Sequence, residues 1–163
     1  MSALKEVKVE PEVACISAEE FKQGMSAFPG AVNIVTTEVG NIKVGFTATA
    51  VCSVSDNPPT LLVCLNRGAS VHKTFLESDS LVINTLDVGQ DNLSNLFGGK
   101  APMEERFANA TWETLVTGAP VLTNAAVSFD CNLTELISMA THLRLFFQAA
   151  ITQHKKQRKN FLN

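Results

Sequence analysis

Short apolar stretches rich in β-branched residues, separated by turn residues, dominate the chain. Residues 31–37 (AVNIVTT) read as a strand, Glu38, Val39, Gly40 and Asn41 as a turn, and residues 42–47 as the hairpin partner. Asp56, Asn57, Pro58 and Pro59 form a loop, and the continuous run at 60–65 (TLLVCL) reads as a buried strand. Further strands are expected at 80–86, 112–116 and 131–137, the last entered through residues 121–130, and at 143–151. Helical signals are few. Ser17 and Glu20 form a capping box, followed by Phe21, Met25 and Phe28 on one face, with Pro29 and Gly30 as the stop. Ser70 is placed to cap a short helix carrying Val71, Thr74, Phe75 and Leu76, and a helix over 88–97 should stop at Gly98 and Gly99. Residues 100–110 read as polar and irregular.

Hairpin spacings without a βαβ rhythm argue against a doubly wound sheet and for a mainly β fold, a closed antiparallel barrel with a few short helices. Residues 17–152 are expected to form this one domain, with 1–16 as an N-terminal arm and 153–163 as a polar basic tail. At 163 residues and 45% apolar composition the chain can bury a core without staples. A net charge of −3 removes the general electrostatic case for nucleic acid as a partner. No apolar run suits a membrane span or a signal peptide, so a cytoplasmic protein is expected. Cys15, Cys52, Cys64 and Cys131 are scattered and read as buried inert thiols, and the spacing of His72, His142 and His154 suits no metal.

Candidate chemistry concentrates in residues 45–67, where Thr47, Ala48, Thr49, Ala50, Ser53 and Ser55 make a run of small side chains. Such a segment lets a planar ligand approach the backbone, whose N–H groups and hydroxyls can donate to it. On composition alone it reads more readily as a strand and turn that merely pack. Asn66, Arg67, Ser70, Lys73 and Thr74 could converge on a phosphate, or could be a capped helix with surface cations. His142 precedes an apolar strand, where it could meet a ligand ring or simply close the strand. Dinucleotide, P-loop, GxSxG and HExxH motifs do not occur, so a nicotinamide would have to stack on another ring.

Residues 21–37, 45–67 (GFTATAVCSVSDNPPTLLVCLNR), 81–86 and 103–107 (MEERF), with Pro120, Val121, Leu122, Ala140, Thr141 and His142, resemble the flavin reductase family. The likeness covers about 18–145 and is nearest to the reductases of two-component monooxygenases of the 4-hydroxyphenylacetate 3-monooxygenase type. The resemblance implies a split β-barrel, a Greek-key antiparallel barrel of the FMN-binding type, usually a homodimer. It implies FMN or FAD as the flavin, NADH or NADPH as hydride donor, and an oxygenase component as partner. Thr47, Ala48, Thr49 and Ala50 would line the flavin ring, while Ser53, Asn66, Arg67, Ser70, Lys73 and Thr74 would surround its ribityl and phosphate. His142 would stand beside the reacting rings as the catalytic residue, with Phe107 close by. The family glycine before that motif is Ala140 here, and residues 143–163 do not align with the family's closing segment, so loss of a terminal strand would open a barrel edge. Competing expectations are a reductase for another oxygenase, such as those of pyrimidine or phenol breakdown, a flavin-binding protein without turnover, a chain that has lost flavin binding, and an all-β interaction module.

Overall fold

The computed structural model describes residues 15–139 and 141–154. Residues 1–14 of the expected arm, 155–163 of the expected tail and Ala140 lie outside the described residues. The chain runs α1 (Ala18–Ser26), β1 (Asn33–Val39), β2 (Ile42–Ala48), β3 (Val51–Asp56), β4 (Pro59–Asn66), α2 (His72–Leu76) and β5 (Ser80–Thr85). It continues through α3 (Asp91–Gly98), α4 (Met103–Ala108), β6 (Trp112–Thr114), β7 (Pro120–Leu122), β8 (Val127–Met139) and β9 (His142–His154).

The large sheet has the order β2-β1-β5-β8-β9-β4-β3, and every pairing in it is antiparallel. Gly40 and Asn41, both at positive φ, make the β1–β2 turn that the sequence signals. Alternation along the strands sends Val35, Val44, Val63, Leu65, Leu81, Ile83, Leu143, Leu145 and Phe147 into one core. Val71 and Phe75 of the α2 region join this core, and Phe75 meets Phe46 edge-on at 5.1 Å. Val82, on the other face of β5, packs against Ala119 and Val121, so this strand is buried on both sides. The strand composition and the short helices are those of the expected split barrel.

The strand expected at 143–151 forms as β9 in the sheet interior, paired to β8 on one side and β4 on the other, so the segment that did not align with the family opens no edge there. Its alternating Leu143, Leu145 and Phe147 are what a strand needs to face the core. Three other expectations change. Residues 100–110 are not irregular throughout, because 103–108 form α4. Ser70 does not cap α2, which starts at His72 after Val71 with no side-chain cap. The chain enters α2 through tight turns, Ala69 N–H to Asn66 C=O and His72 N–H to Ala69 C=O, rather than from the extended backbone a cap requires. The α1 capping box is present, with Glu20 N–H donating to Ser17 Oγ and Ser17 N–H donating to Glu20. Its apolar face nevertheless stays uncovered, with Phe21, Met25 and Phe28 all exposed. No disulfide joins the cysteines among the described residues, but only Cys131 is fully buried, and Cys15 and Cys52 are exposed. Burial pushes the Cys131 thiol up to about 12.

Polar groups inside the barrel wall are paired. Asn84 has no solvent exposure and uses its whole amide. Its Nδ2 donates to Ile34 C=O and Thr36 Oγ1, and its Oδ1 accepts from Leu122 N–H and Ser128 Oγ. One side chain therefore joins β1, β5, β7 and β8. Asp130 accepts from the N–H groups of Val116 and Thr117 and from the Thr117 hydroxyl, which pins the 115–118 loop to β8. Asn84→Leu keeps the volume but strands buried donors and acceptors on three other elements. It is expected to cost about 3 kcal/mol or more, read from the denaturant midpoint at unchanged m-value.

Candidate active site

β2 and β3 lie at opposite edges of the sheet but are joined only by Thr49 and Ala50. At that join lies a cleft of about 420 Å³. One wall is the end of β2 and the join itself, Phe46, Thr47, Ala48, Thr49 and Ala50. A second is β4 and the turn after it, with Cys64, Leu65, Asn66, Ala69, Ser70 and Val71. Phe97, Gly98 and Gly99 at the end of α3 and Arg106 of α4 close a third side, and His142 stands at the start of β9.

Each wall has a local cause. Val51 N–H turns back to Thr49 C=O at 2.9 Å, and Cys64 N–H reaches Ala50 C=O at 3.0 Å, which fixes the join against β4. The N–H groups of Thr49 and Ala50 meet no acceptor among the described residues, so both remain available to a ligand. The Thr47 hydroxyl is already used, donating to Ser94 C=O at 2.7 Å and tying β2 to α3. Asn66 Oδ1 accepts from Gly68 N–H at 2.8 Å, which leaves its Nδ2 without an acceptor among the described residues. Asn66 and His142 are register partners across β4 and β9, and Arg67 N–H donates to Thr141 C=O, so the two flanks of the mouth are locked together. Thr141 Oγ1 lies 2.8 Å from His142 Nδ1, which orients the exposed ring. Burial, with a smaller contribution from Cys52, raises the Cys64 thiol above its ordinary range, so at neutral pH it is an uncharged wall atom and not a nucleophile.

Of the residues singled out in the sequence, the cleft gathers Thr47, Ala48, Thr49, Ala50, Asn66, Ser70 and His142. Ser53 is exposed on edge strand β3, and Arg67 is exposed on the loop beyond Asn66. Lys73 points to solvent and pairs with Glu77 at 3.9 Å, and Thr74 lies on α2 outside the cleft wall. Phe107 stands behind the wall, with its ring edge-on to Phe97 at 5.3 Å and tilted on Trp112 at 4.8 Å. The residues missed are the α3–α4 wall and the apolar part of β4. Gly98 and Gly99 were legible as a helix stop but not as a wall, and Arg106 lay inside the MEERF motif of a helix that had not been expected.

A cleft with small side chains and two backbone donors at the strand join, aromatic rings nearby and a histidine at its edge suits a planar heteroaromatic ligand. The family model described as "Flavin reductase like domain" matches residues 25–158. The chain belongs to the flavin reductase-like family. It is thus an enzyme of the flavin-reducing class, as the sequence leads one to expect. It is 52% identical over 153 residues to a Yersinia enterocolitica protein named FMN reductase (NADH) RutF, covering 94% of this chain and 80% of that one. The crystal structure of a protein assigned as a flavin reductase from Haemophilus somnus 129pt superposes with a TM-score of 0.85 at 42% identity, over 87% of this chain and 91% of that one. BorF, the flavin reductase component of a bacterial two-component tryptophan halogenase, superposes with a TM-score of 0.79 at 26% identity, over 87% of this chain and 90% of that one. Among the described residues no cluster of His, Cys, Asp and Glu could hold a metal ion, and no helix is long and apolar enough to cross a membrane.

The cleft depends on one close approach behind it. A Cβ on Gly45 would stand 2.9 Å from the Phe97 ring and 3.1 Å from Thr36 Cγ2. Phe97 is 1% exposed and backed by Phe107 and Trp112, so it cannot retreat. Gly45→Ala is expected to cost about 1–3 kcal/mol in denaturant unfolding. It should also weaken flavin binding in a fluorescence titration, whereas Gly24→Ala, with open space around it, should do neither.

Proposed function

We propose that this chain is a cytoplasmic NADH-dependent FMN reductase that passes reduced flavin to the oxygenase component of a two-component system. The observation that carries this reading is the cleft at the join of β2 and β3, where the join is lined by small side chains and offers the Thr49 and Ala50 N–H groups. Ala48, Ala50, Gly98 and Gly99 leave room for a planar ring beside Phe46, Phe97 and Arg106. The choice of FMN over FAD, and of NADH over NADPH, is supported by the name of the Yersinia relative. The BorF likeness supports a two-component arrangement, and the sequence resemblance favours an aromatic-hydroxylating oxygenase of the 4-hydroxyphenylacetate type. The uncovered face of Phe21, Met25 and Phe28 supports a homodimer, which light scattering reads directly.

When flavin and nicotinamide are both bound, the nicotinamide supplies a hydride and flavin N5 accepts it. The chain's part is to hold the two rings together and to favour the charge that develops. The Thr49 and Ala50 N–H groups would donate to ring carbonyls, and Asn66 Nδ2 and the Ser70 hydroxyl would take the ribityl and phosphate end. Arg67, Lys73 and Thr74 would supply charge and hydroxyl to a phosphate that leaves the cleft over α2, with Ser53 and Phe107 as supports outside the wall. His142, steadied by Thr141, would orient the nicotinamide or hold a proton at the ring edge.

The test is NADH oxidation by the purified chain with and without added FMN. Oxidation that depends on FMN is the expected result. Flavin binding without oxidation would replace the reductase reading with a carrier, and the absence of both binding and oxidation would overturn the flavin reading itself. His142→Ala should slow hydride transfer roughly tenfold or more while changing the FMN dissociation constant by less than about threefold. Equal loss in both quantities would remove His142 from the chemistry.

A further inference from the structure

Arg106 is 6% exposed, yet it forms part of the cleft wall. Its Nε donates to Ala101 C=O at 2.8 Å, Nη1 to Phe97 C=O at 2.9 Å and Gly45 C=O at 3.5 Å, and Nη2 to Gly99 C=O at 2.8 Å. Every acceptor is a backbone carbonyl. Three of them, Phe97, Gly99 and Ala101, belong to the end of α3 and the turn after it, and the fourth, Gly45, belongs to β2. The guanidinium therefore clips the α3–α4 turn to the barrel edge in one defined position.

The same contacts leave its charge uncancelled. Carbonyl dipoles satisfy the N–H groups and offset desolvation, but they add no net negative charge. No carboxylate pairs with Arg106 among the described residues. A guanidinium is ionised at any working pH, and a buried charge acts over a longer range than one in water. A buried cation without a carboxylate is costly to keep. A greasy side chain could have filled the space, but it could neither gather carbonyls nor carry charge to the cleft.

We propose that Arg106 is a positioning residue with an electrostatic role. It fixes the Phe97–Gly99 wall through backbone carbonyls, and its unpaired charge favours the anionic reduced flavin over the neutral-ringed oxidised one. This rests on the flavin reductase reading. Hydride arrival at N5 brings two electrons and one proton, so the ring system gains one negative charge while the nicotinamide becomes the oxidised cation. A fixed positive charge in the wall lowers the cost of that gain. The phosphate is the same in both redox states and cancels from the comparison.

The experiment measures dissociation constants of oxidised FMN and, anaerobically, of reduced FMN for the intact chain and for Arg106→Gln and Arg106→Lys, with thermal melts on all three. Arg106→Gln, which keeps two N–H donors but loses the charge, is expected to weaken reduced FMN about tenfold relative to oxidised FMN. Arg106→Lys keeps the charge but loses the planar fork, so both forms should weaken together with their ratio within about threefold of the unmodified chain. A folded Arg106→Gln whose ratio is unchanged overturns the charge role, and so does an Arg106→Lys whose ratio moves about tenfold. A folded Arg106→Lys that binds both forms as tightly as the unmodified chain overturns the positioning role. If Arg106→Gln does not fold, the two Arg106→Lys outcomes decide. Failure of the unmodified chain to bind either form is a separate result, which removes the flavin reading and this proposal with it.

Discussion

Two residues, Thr49 and Ala50, separate the strands that form the opposite edges of a seven-stranded sheet. Laid flat, six inter-strand steps of about 4.8 Å would hold those edges roughly 29 Å apart. The three Cα steps from Ala48 to Val51 span at most about 11 Å. The sheet must therefore curl until β2 and β3 approach at that end, whatever the side chains prefer. Curling is what places Val44 and Ala48 of β2 in one core with Val63 and Leu65 of β4. It also leaves a seam that is joined at one point and unpaired elsewhere, and the cleft lies at the joined point.

A seam of this kind is a hazard unless its rims are held. Backbone groups there lack ladder partners, and the fold answers with polar side chains that act on backbone. Thr47 ties β2 to α3, Asn66 closes its own turn onto Gly68, and Arg106 gathers carbonyls from the end of α3, the turn after it and β2. Deeper in the wall Asn84 and Asp130 do the same for β7 and the 115–118 loop. The buried ones, Asn84, Asp130 and Arg106, are expensive to bury alone and inexpensive once satisfied, so each specifies one arrangement of its neighbours more sharply than an apolar contact would.

The barrel was legible because its strands alternate or run continuously apolar between strong turn residues, and local pattern reports such features directly. Pairing β1 with β2 followed from the Gly40–Asn41 turn, and the β4 run from TLLVCL. Residues 51–56 were harder, since small hydroxyl side chains suit a strand, a turn and a ligand wall alike, and only the pairing with β4 selects β3. The cleft was half legible. Residues contiguous in sequence with the small-residue run, Thr47 to Ala50, were found, as was His142, which belongs to a motif. Phe97, Gly98 and Gly99 end a helix that the pattern did signal, and Arg106 comes from a stretch it left irregular; all four reach the cleft only because the barrel closes. Arg106 has no local mark: a cation in a short helix reads as surface until its four carbonyl partners are known.

The arrangement also explains why no strong nucleophile or paired carboxylates are needed. Cys64, the thiol on the wall, is held neutral by burial, and Asp130, a carboxylate buried in the barrel wall, is spent on backbone N–H groups. What remains at the cleft is donors, small side chains, one imidazole and one buried cation. That set can hold rings in register and respond to a change in their charge, but it can make or break few bonds itself. A reaction whose bond changes lie wholly between two bound cofactor-type molecules requires just such a site. The closing of the sheet and the sparseness of its chemistry are therefore connected: a seam between strand edges offers backbone and small residues in abundance, and hydride transfer between stacked rings is chemistry that such a surface can serve.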